Sequence, residues 1–300
     1  MLGKEKVTAQ MKELIAKADV LLEALPYIQD FHGSVVLVKF GGSAMEDPEV
    51  TRGVLRDVAF MASAGMRPVI VHGGGKAISA ELKAQGVPTQ FINGLRYTCE
   101  KTIKVVDQVL HQVVNADLVR MLRESGAVAA AVSGKNVLRC ERTTTVDKAT
   151  GAAIDLGFVG RVVNVDTPQL NWIMSRGEVP VITPLACDMN GQVYNINADM
   201  AACVIAAMLK VRKLVFLSDV PGVLRDPADE DSLISTIRMG EIDQLSRDGV
   251  ISGGMLPKLQ SAAEALQAGV GKVHMIDGRV RHSLLLELFT DQGIGTQIIP

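Results

Sequence analysis

Neither sign of charge predominates in the 300-residue sequence, where 31 Lys and Arg stand against 33 Asp and Glu. There is no basic field to hold a nucleic acid and no acidic tail, so the expected partners are small molecules or other copies of the chain. Cysteine is scarce: Cys99, Cys140, Cys187 and Cys203 form no CxxC pair, and the five histidines form no HExxH. Neither a protein-held metal nor a disulfide framework is signalled, and reduced, buried cysteines fit a cytoplasmic protein. No apolar run reaches the length of a bilayer span, so no membrane partner is expected. The opening "MLGKEKVTAQMKELIAKADVLLEALPYI" mixes both charges with apolar residues and lacks the apolar stretch of a secretory leader. Neither GxxxxGK[ST] nor GxGxxG occurs, which argues against a P-loop enzyme and a dinucleotide-binding oxidoreductase. No Ser–His–Asp or Cys–His constellation is evident.

What the chain has is alternation. Val35–Lys39, Val69–His72, Ala127–Val132, Val179–Thr183, Leu214–Ser218 and Val273–Ile276 read as strands, with helical patterns such as Glu49–Ala64, Lys101–Glu124 and Ala198–Lys210 between them. Unbroken apolar strands in this order predict an α/β protein, an open αβα sandwich on a mainly parallel central sheet. Residues 136–165 alternate like strands around "DKATGAA" and predict a β-hairpin excursion. Val7, Met11, Leu14, Ala18, Leu22 and Leu25 make an apolar stripe on an N-terminal helical arm, residues 1–30, that stops or bends at Pro26. The arm packs on its own domain or docks on a neighbouring subunit. A break near residues 165–178 divides the rest into lobes at 31–177 and 178–300.

Three stretches carry candidate chemistry. "VVLVKFGGS" puts Lys39, Gly41 and Gly42 at a strand's end, and "VIVHGGG" puts Gly74 and Gly75 before a helix. Such turns let backbone amides approach an anion at a helix N-terminus, although glycine also serves ordinary turns. "YNINADMAA" places Asn195, Asn197 and Asp199 at alternate positions. Asn197 caps the following helix, and Asp199 sits either in its first turn or beyond the strand ends where ligands bind. In "ISGGMLPKLQ", Pro257 fixes a helix start, so Lys258 lies in its opening turns, reaching the same anion pocket or solvent. "NGLRYT" offers Arg96 for a carboxylate, and "FLSDVPGV" sets Ser218, Asp219 and Gly222 around a turn.

In their order and separations these motifs, with "GFVGRV", resemble the amino acid kinase family from about Val35 to the chain end. "NGLR" with "NINAD" resembles the members that phosphorylate N-acetylglutamate. The resemblance implies ATP and Mg²⁺ carried by the nucleotide, with an acyl-amino acid in the N-terminal lobe and ATP in the C-terminal lobe. It implies that Lys39 and Lys258 stabilise the travelling phosphoryl group while Asp199 holds them. Gly41, Gly42 and Gly74 meet phosphates; Arg96 grips the substrate α-carboxylate, with Gly74, Gly75 and Asn195 beside it; Ser218, Asp219 and Gly222 border the nucleotide. It further implies a hexamer, built as a trimer of dimers through the arm, and feedback inhibition by arginine held near Tyr27, His274, Glu287, Gly293 and Gly295. For Glu287 the plain alternative is a solvated helix residue, and His72 reads as a structural residue at a strand end. A non-catalytic amino-acid sensor and a relative acting on another carboxylate are the competing functions.

Overall fold

A computed structural model describes residues 9–147, 150–251, 255–290 and 293–300. Val7 of the arm, Lys148 and Ala149 of the hairpin tip, and the glycines of "GGMLPK" lie outside the described residues. Along the chain come α1 (Ala9–Phe31), β1 (Val35–Phe40), α2 (Pro48–Ser63), β2 (Arg67–His72), α3 (Gly75–Ala84), β3 (Phe91–Ile92) and β4 (Leu95–Arg96). There follow α4 (Glu100–Gln108), a π-helical turn at Val109–Asn115, α5 (Ala116–Glu124), β5 (Ala129–Val132), α6 (Gly134–Val137), β6 (Leu138–Val146), β7 (Ala153–Val165) and α7 (Thr167–Ser175). The last part holds β8 (Val179–Ile182), β9 (Leu185–Cys187), β10 (Val193–Ile196), α8 (Ala198–Leu209), β11 (Lys213–Ser218), β12 (Thr236–Arg238), α9 (Ile242–Arg247), α10 (Met255–Gln267), β13 (Lys272–Asp277), α11 (Ser283–Phe289) and β14 (Thr296–Ile299).

The central sheet among the described residues runs β12-β14-β13-β11-β1-β2-β8-β5, parallel except for the β13/β14 pair. The expected α/β sandwich with a mainly parallel sheet is therefore the observed one. β8 lies between β2 and β5, so the sheet is continuous across residues 177 and 178. The expected hairpin is present as β6 and β7, and it closes with β9 and β10 into a small four-stranded barrel.

The pleat of β1 decides what faces where. Val36, Val38 and Phe40 point to one face of the sheet, into a core with α2 and the α4–α5 segment. Leu37 points to the other, into a core with α8 and α10. By the same period of two, Lys39 follows Leu37, so the ammonium group is directed to the face covered by α8 and α10. β1 and β11 are the middle of the sheet, and their apolar positions apart from Val35 are buried, each contributing about 1.5–3 kcal/mol from removal of apolar surface.

Two sequence expectations change. The arm helix does not stop at Pro26 but continues to Phe31; Pro26 is exposed, where water can satisfy the carbonyl freed one turn earlier. Lys101–Glu124 is not one α-helix, because the π-turn inserts at its middle. That extra residue per turn sets Leu110 and Val114 against Gly74, where a Cβ would lie 2.5 Å from Leu110 Cδ2.

Leu37→Ala, at the centre of the sheet, is expected to lose about 2–5 kcal/mol of unfolding free energy in urea titration. A loss below roughly 1 kcal/mol contradicts the placement of the core.

Candidate active site

Asp199 stands in the first turn of α8, whose N-terminus is capped by Asn197 Oδ1 accepting from the Asp199 and Met200 amides at 2.9 and 3.1 Å. Lys39 reaches it from the end of β1, with Nζ 2.8 Å from Asp199 Oδ1. Lys258 reaches it from the start of α10, with Nζ 3.3 Å from Oδ2. One carboxylate thus ties together ammonium groups from strand and helix 219 residues apart in the chain. Burial works against the charged carboxylate, yet Lys39 and Lys258 hold its pKa below the ordinary value. Each carboxylate oxygen thus faces one of the two amines.

The glycine turns stand side by side over this cluster. Gly73 N–H donates to Phe40 O at 2.7 Å, stitching the turn after β2 to the turn after β1. A Cβ on Gly41 would sit 2.9 Å from Lys39 Nζ, and one on Gly73 would lie 3.4 Å from Gly41 Cα. Gly42 adopts φ of 72°, open to glycine without strain. Gly74 and Gly75 begin α3.

Three clefts with shared lining meet here. One of about 170 Å³ gathers Gly74, Gly75, Arg96 and Asn195 with Phe91. A neighbour of about 620 Å³ is lined by Asn197, Asp199 and Lys258, and a third of about 1040 Å³ by Lys39, Gly42 and Gly73–Gly75. Arg96 is buried, donating to Gly75 O at 2.9 Å and Ser79 Oγ at 2.8 Å, with its guanidinium 4.6 Å from the Phe91 ring centre. Among the described residues its ion pairs include no carboxylate, and burial lowers its pKa, so the site presents a cation without its counter-charge. Asn195 donates to Thr98 Oγ1 at 3.2 Å.

Ser218 ends β11, the neighbour of β1, and Asp219 and Gly222 follow it, but the three line none of these clefts. Ser218 Oγ turns back to Val220 O at 2.9 Å, and a Cβ on Gly222 would strike Thr296 Oγ1 at 2.5 Å. No group of three or more His, Cys, Asp or Glu among the described residues is spaced to hold a metal ion. No described helix is long and apolar enough to cross a membrane.

Comparison with known proteins matches this geometry to a family. The sequence profile of the amino acid kinase family matches residues 34–277. The chain belongs to the amino acid kinase family. Within it, the chain is 48% identical over 280 residues to an acetylglutamate kinase of Brachyspira hyodysenteriae, covering 93% of this chain and 96% of that one. It is 44% identical over 283 residues to the acetylglutamate kinase of Syntrophomonas wolfei, covering 94% and 97%. Among solved structures, the N-acetylglutamate synthase of Neisseria gonorrhoeae complexed with coenzyme A and N-acetyl-glutamate superimposes with a TM-score of 0.82 at 26% identity. That match covers 93% of this chain and 62% of the longer synthase. As a member of this family the protein is a kinase, a class whose enzymes use ATP.

A second charged cluster of this amino acid kinase gathers around β11 and β13, inside the sheet rather than at its edge. Glu287, on α11, is buried rather than solvated, 3.3 Å from Lys213 Nζ and in contact with His274 Nδ1. Its Oε2 accepts from Ile294 N at 3.2 Å, and a Cβ on Gly293 would approach it at 2.9 Å. Burial opposes ionisation of Glu287, but the His274 hydrogen bond and the charges of His274 and Lys213 bring its pKa down to about 2. Burial also lowers the pKa of His274, whose Nε2 is buried without a hydrogen-bond partner. Gly295 is pressed on β13, with no room for a Cβ beside Met275 O. Half-buried Tyr27 is one turn before Phe31 on α1, and Phe31 lies under Lys213, 5.5 Å from ring centre to Nζ.

Lys213, Ser79, Asn115 and Leu110 were not singled out from the sequence. Lys213 had a signal, a charge opening a strand otherwise apolar to Leu217. The sequence also gave no hint of a Ser133–His111–Asp107 chain, yet His111 lies 2.7 Å from both Asp107 Oδ1 and Ser133 Oγ. Lys135 Nζ pairs with the other Asp107 oxygen at 2.8 Å, and Gly134 N–H, the nearest amide to Ser133, is used on Thr183 Oγ1 at 2.9 Å. With that amide unavailable as an oxyanion donor, the chain reads as a brace between helix and strand ends rather than a nucleophile.

The Glu287 carboxylate, with its folded pKa below the reference value, stabilises the fold fully above pH ~4.5 and progressively less as pH falls toward ~2. Glu287→Gln is expected to cost roughly 3–5 kcal/mol at neutral pH and to flatten the stability profile between pH ~4.5 and ~2. An unchanged acid limb in pH-dependent denaturation contradicts the pairing.

Proposed function

We infer that the protein transfers the γ-phosphoryl group of ATP to the γ-carboxylate of N-acetyl-L-glutamate, forming N-acetyl-L-glutamyl 5-phosphate for arginine biosynthesis. The observation that carries this reading is the Asp199 carboxylate shared by Lys39 and Lys258 beneath two glycine turns. The names of the Brachyspira and Syntrophomonas relatives support the substrate. Phosphoryl transfer asks for alignment and for neutralisation of oxygen charge, and these groups supply both. A carboxylate oxygen attacks phosphorus, the bond to the ADP oxygen breaks, and no general base is required because the free γ-carboxyl, with a pKa of about 4.3, is already ionised. Lys39 and Lys258 turn from Asp199 to the phosphoryl oxygens, while Asp199 keeps the two amines from separating. The amides of Gly41, Gly42 and Gly74 meet the phosphates where glycine leaves room for close approach.

Arg96 is the group that fits the α-carboxylate, since its own partners are neutral oxygens and an aromatic face. Gly74, Gly75 and Asn195 border the rest of the acyl-amino acid in the 170 Å³ cleft. Residues 31–177 in this reading bind the acyl-amino acid and residues 178–300 the nucleotide, with Ser218, Asp219 and Gly222 beside the adenosine portion. Mg²⁺ arrives with the nucleotide, its charge offsetting that of the β- and γ-phosphates.

Arginine inhibition is the second half of the reading. Glu287, buried beside the unpartnered His274 Nε2, offers acceptors for a guanidinium, and Gly293 and Gly295 border it. α1 leaves Met11, Leu14, Leu21, Leu22 and Leu25 exposed on one side, a face suited to the same helix of a neighbouring subunit in a hexamer of three dimers. Tyr27 links that face to the pocket.

An ADP-release assay with N-acetylglutamate, glutamate, aspartate and carbamate, with and without arginine, tests the substrate and the feedback together. N-acetylglutamate is expected to be the turned-over acceptor. Lys39→Ala and Lys258→Ala should each lower kcat by about a hundredfold or more with the fold retained; wild-type rates in both refute the roles. Deleting residues 1–26 should leave an active dimer indifferent to arginine, and an arginine-inhibited hexamer after deletion contradicts the regulatory half.

A further inference from the structure

We propose that His72 and Asn115 form a positioning relay that aims the Gly74 backbone N–H at the transferring phosphoryl group. The proposal rests on the phosphotransfer reading above and assigns a task to two buried polar residues that the reading leaves without one.

The chain of hydrogen bonds has only one consistent direction. Val181 O can only accept, so the Asn115 Nδ2 that lies 2.9 Å away must donate to it. The same nitrogen is 3.0 Å from His72 Nε2, which therefore accepts. The neutral ring then carries its proton on Nδ1, and Nδ1–H donates to Gly73 O at 2.6 Å. His72 is completely buried and Asn115 nearly so. Burial pushes the His72 pKa down to about 4, against the Gly73 bond and with help from the charge of His111, so the ring is neutral at working pH.

Fixing Gly73 O fixes its neighbour. The peptide is trans, so the carbonyl of Gly73 and the N–H of Gly74 point in opposite directions. With the carbonyl held toward the His72 ring and Gly73 N–H held by Phe40 O at 2.7 Å, the Gly74 N–H is turned toward the cleft that Gly74 and Lys39 line together. The π-turn serves both ends of the device: Asn115 anchors the ring, and Leu110 packs where a Gly74 Cβ would be. A strand end needs no such chain for stability alone, since an apolar side chain would fill the space without buried polar groups to satisfy. A pre-aimed amide lowers the barrier because it needs no reorganisation as charge moves onto the phosphoryl oxygens.

The two ring nitrogens can be tested separately. In His72→Asn the side-chain amide nitrogen takes the place of Nδ1 and still reaches Gly73 O; in His72→Gln it takes the place of Nε2 and the peptide clamp is lost. With both variants folded by circular dichroism, His72→Asn is expected to lower kcat by no more than about threefold. His72→Gln is expected to lower it by about a hundredfold, with KM for ATP and N-acetylglutamate within about threefold of wild type. Equal losses in the two variants overturn the relay. Should either variant fail to fold, nitrogen-15 NMR of the wild-type histidines decides: a neutral Nδ1–H tautomer from pH 8 to about pH 5.5 supports the relay, and an Nε2–H tautomer or titration near pH 6.5 overturns it. Wild-type ADP release in the same assay separates the two levels, since its absence fails the kinase reading, whereas active wild type with equal variants fails only the relay.

Discussion

Everything in the site depends on one shared counter-ion. Two ammonium groups converging on a point lose hydration and repel each other, and neither strand end nor helix start would hold them there unaided. Asp199 offsets both charges with a single carboxylate, one oxygen to each amine, and does so from the first turn of α8, where the helix dipole favours an anion. The arrangement brings β1, α8 and α10 to one spot at the carboxyl ends of the sheet strands. It also leaves net positive charge facing the glycine turns, so an incoming phosphoryl group completes the electrostatics rather than disturbing them.

The rest of the fold supplies rigidity around that point. The central strands are buried on both faces, and the turns after β1 and β2 are stitched to each other by the Gly73–Phe40 hydrogen bond. Arg96, braced by Gly75 O and Ser79 Oγ, stands on the other side of the same glycine segment. Arg96 and Lys39 are thus referenced to the same short stretch of chain, Gly73 to Gly75. The second ionic cluster, Lys213, His274 and Glu287, is gathered around β11 and β13, with Lys213 lying over the Phe31 ring at the end of α1.

Much of this was legible because it is local. Lys39 could be placed from the period of two along β1, Asp199 from the cap at Asn197, and Lys258 from Pro257, each a short-range rule. The glycine turns were legible for the same reason. What escaped depends on long-range packing: Glu287 meets Lys213 across 74 residues, and only the fold reveals that it is buried. The π-turn was invisible since its residues have ordinary helical spacing, and what it brings about, the packing of Leu110 on Gly74, is tertiary. The hairpin was legible as alternation, whereas its closure with β9 and β10 is set by partners with no mark in their own sequence. The lobe division was read from the break near residues 165–178, whereas the proposed arginine site came from family resemblance alone and had no local signal to lean on.

The central claim is that both amines meet one phosphoryl group. Its most direct test is a crystal structure with ADP, Mg²⁺, N-acetylglutamate and a planar metal fluoride in place of the travelling phosphoryl. The account predicts Lys39 Nζ and Lys258 Nζ each within about 3.2 Å of fluoride, with Asp199 still between them. A fluoride held by one lysine, with the other remaining more than about 5 Å away, would contradict it.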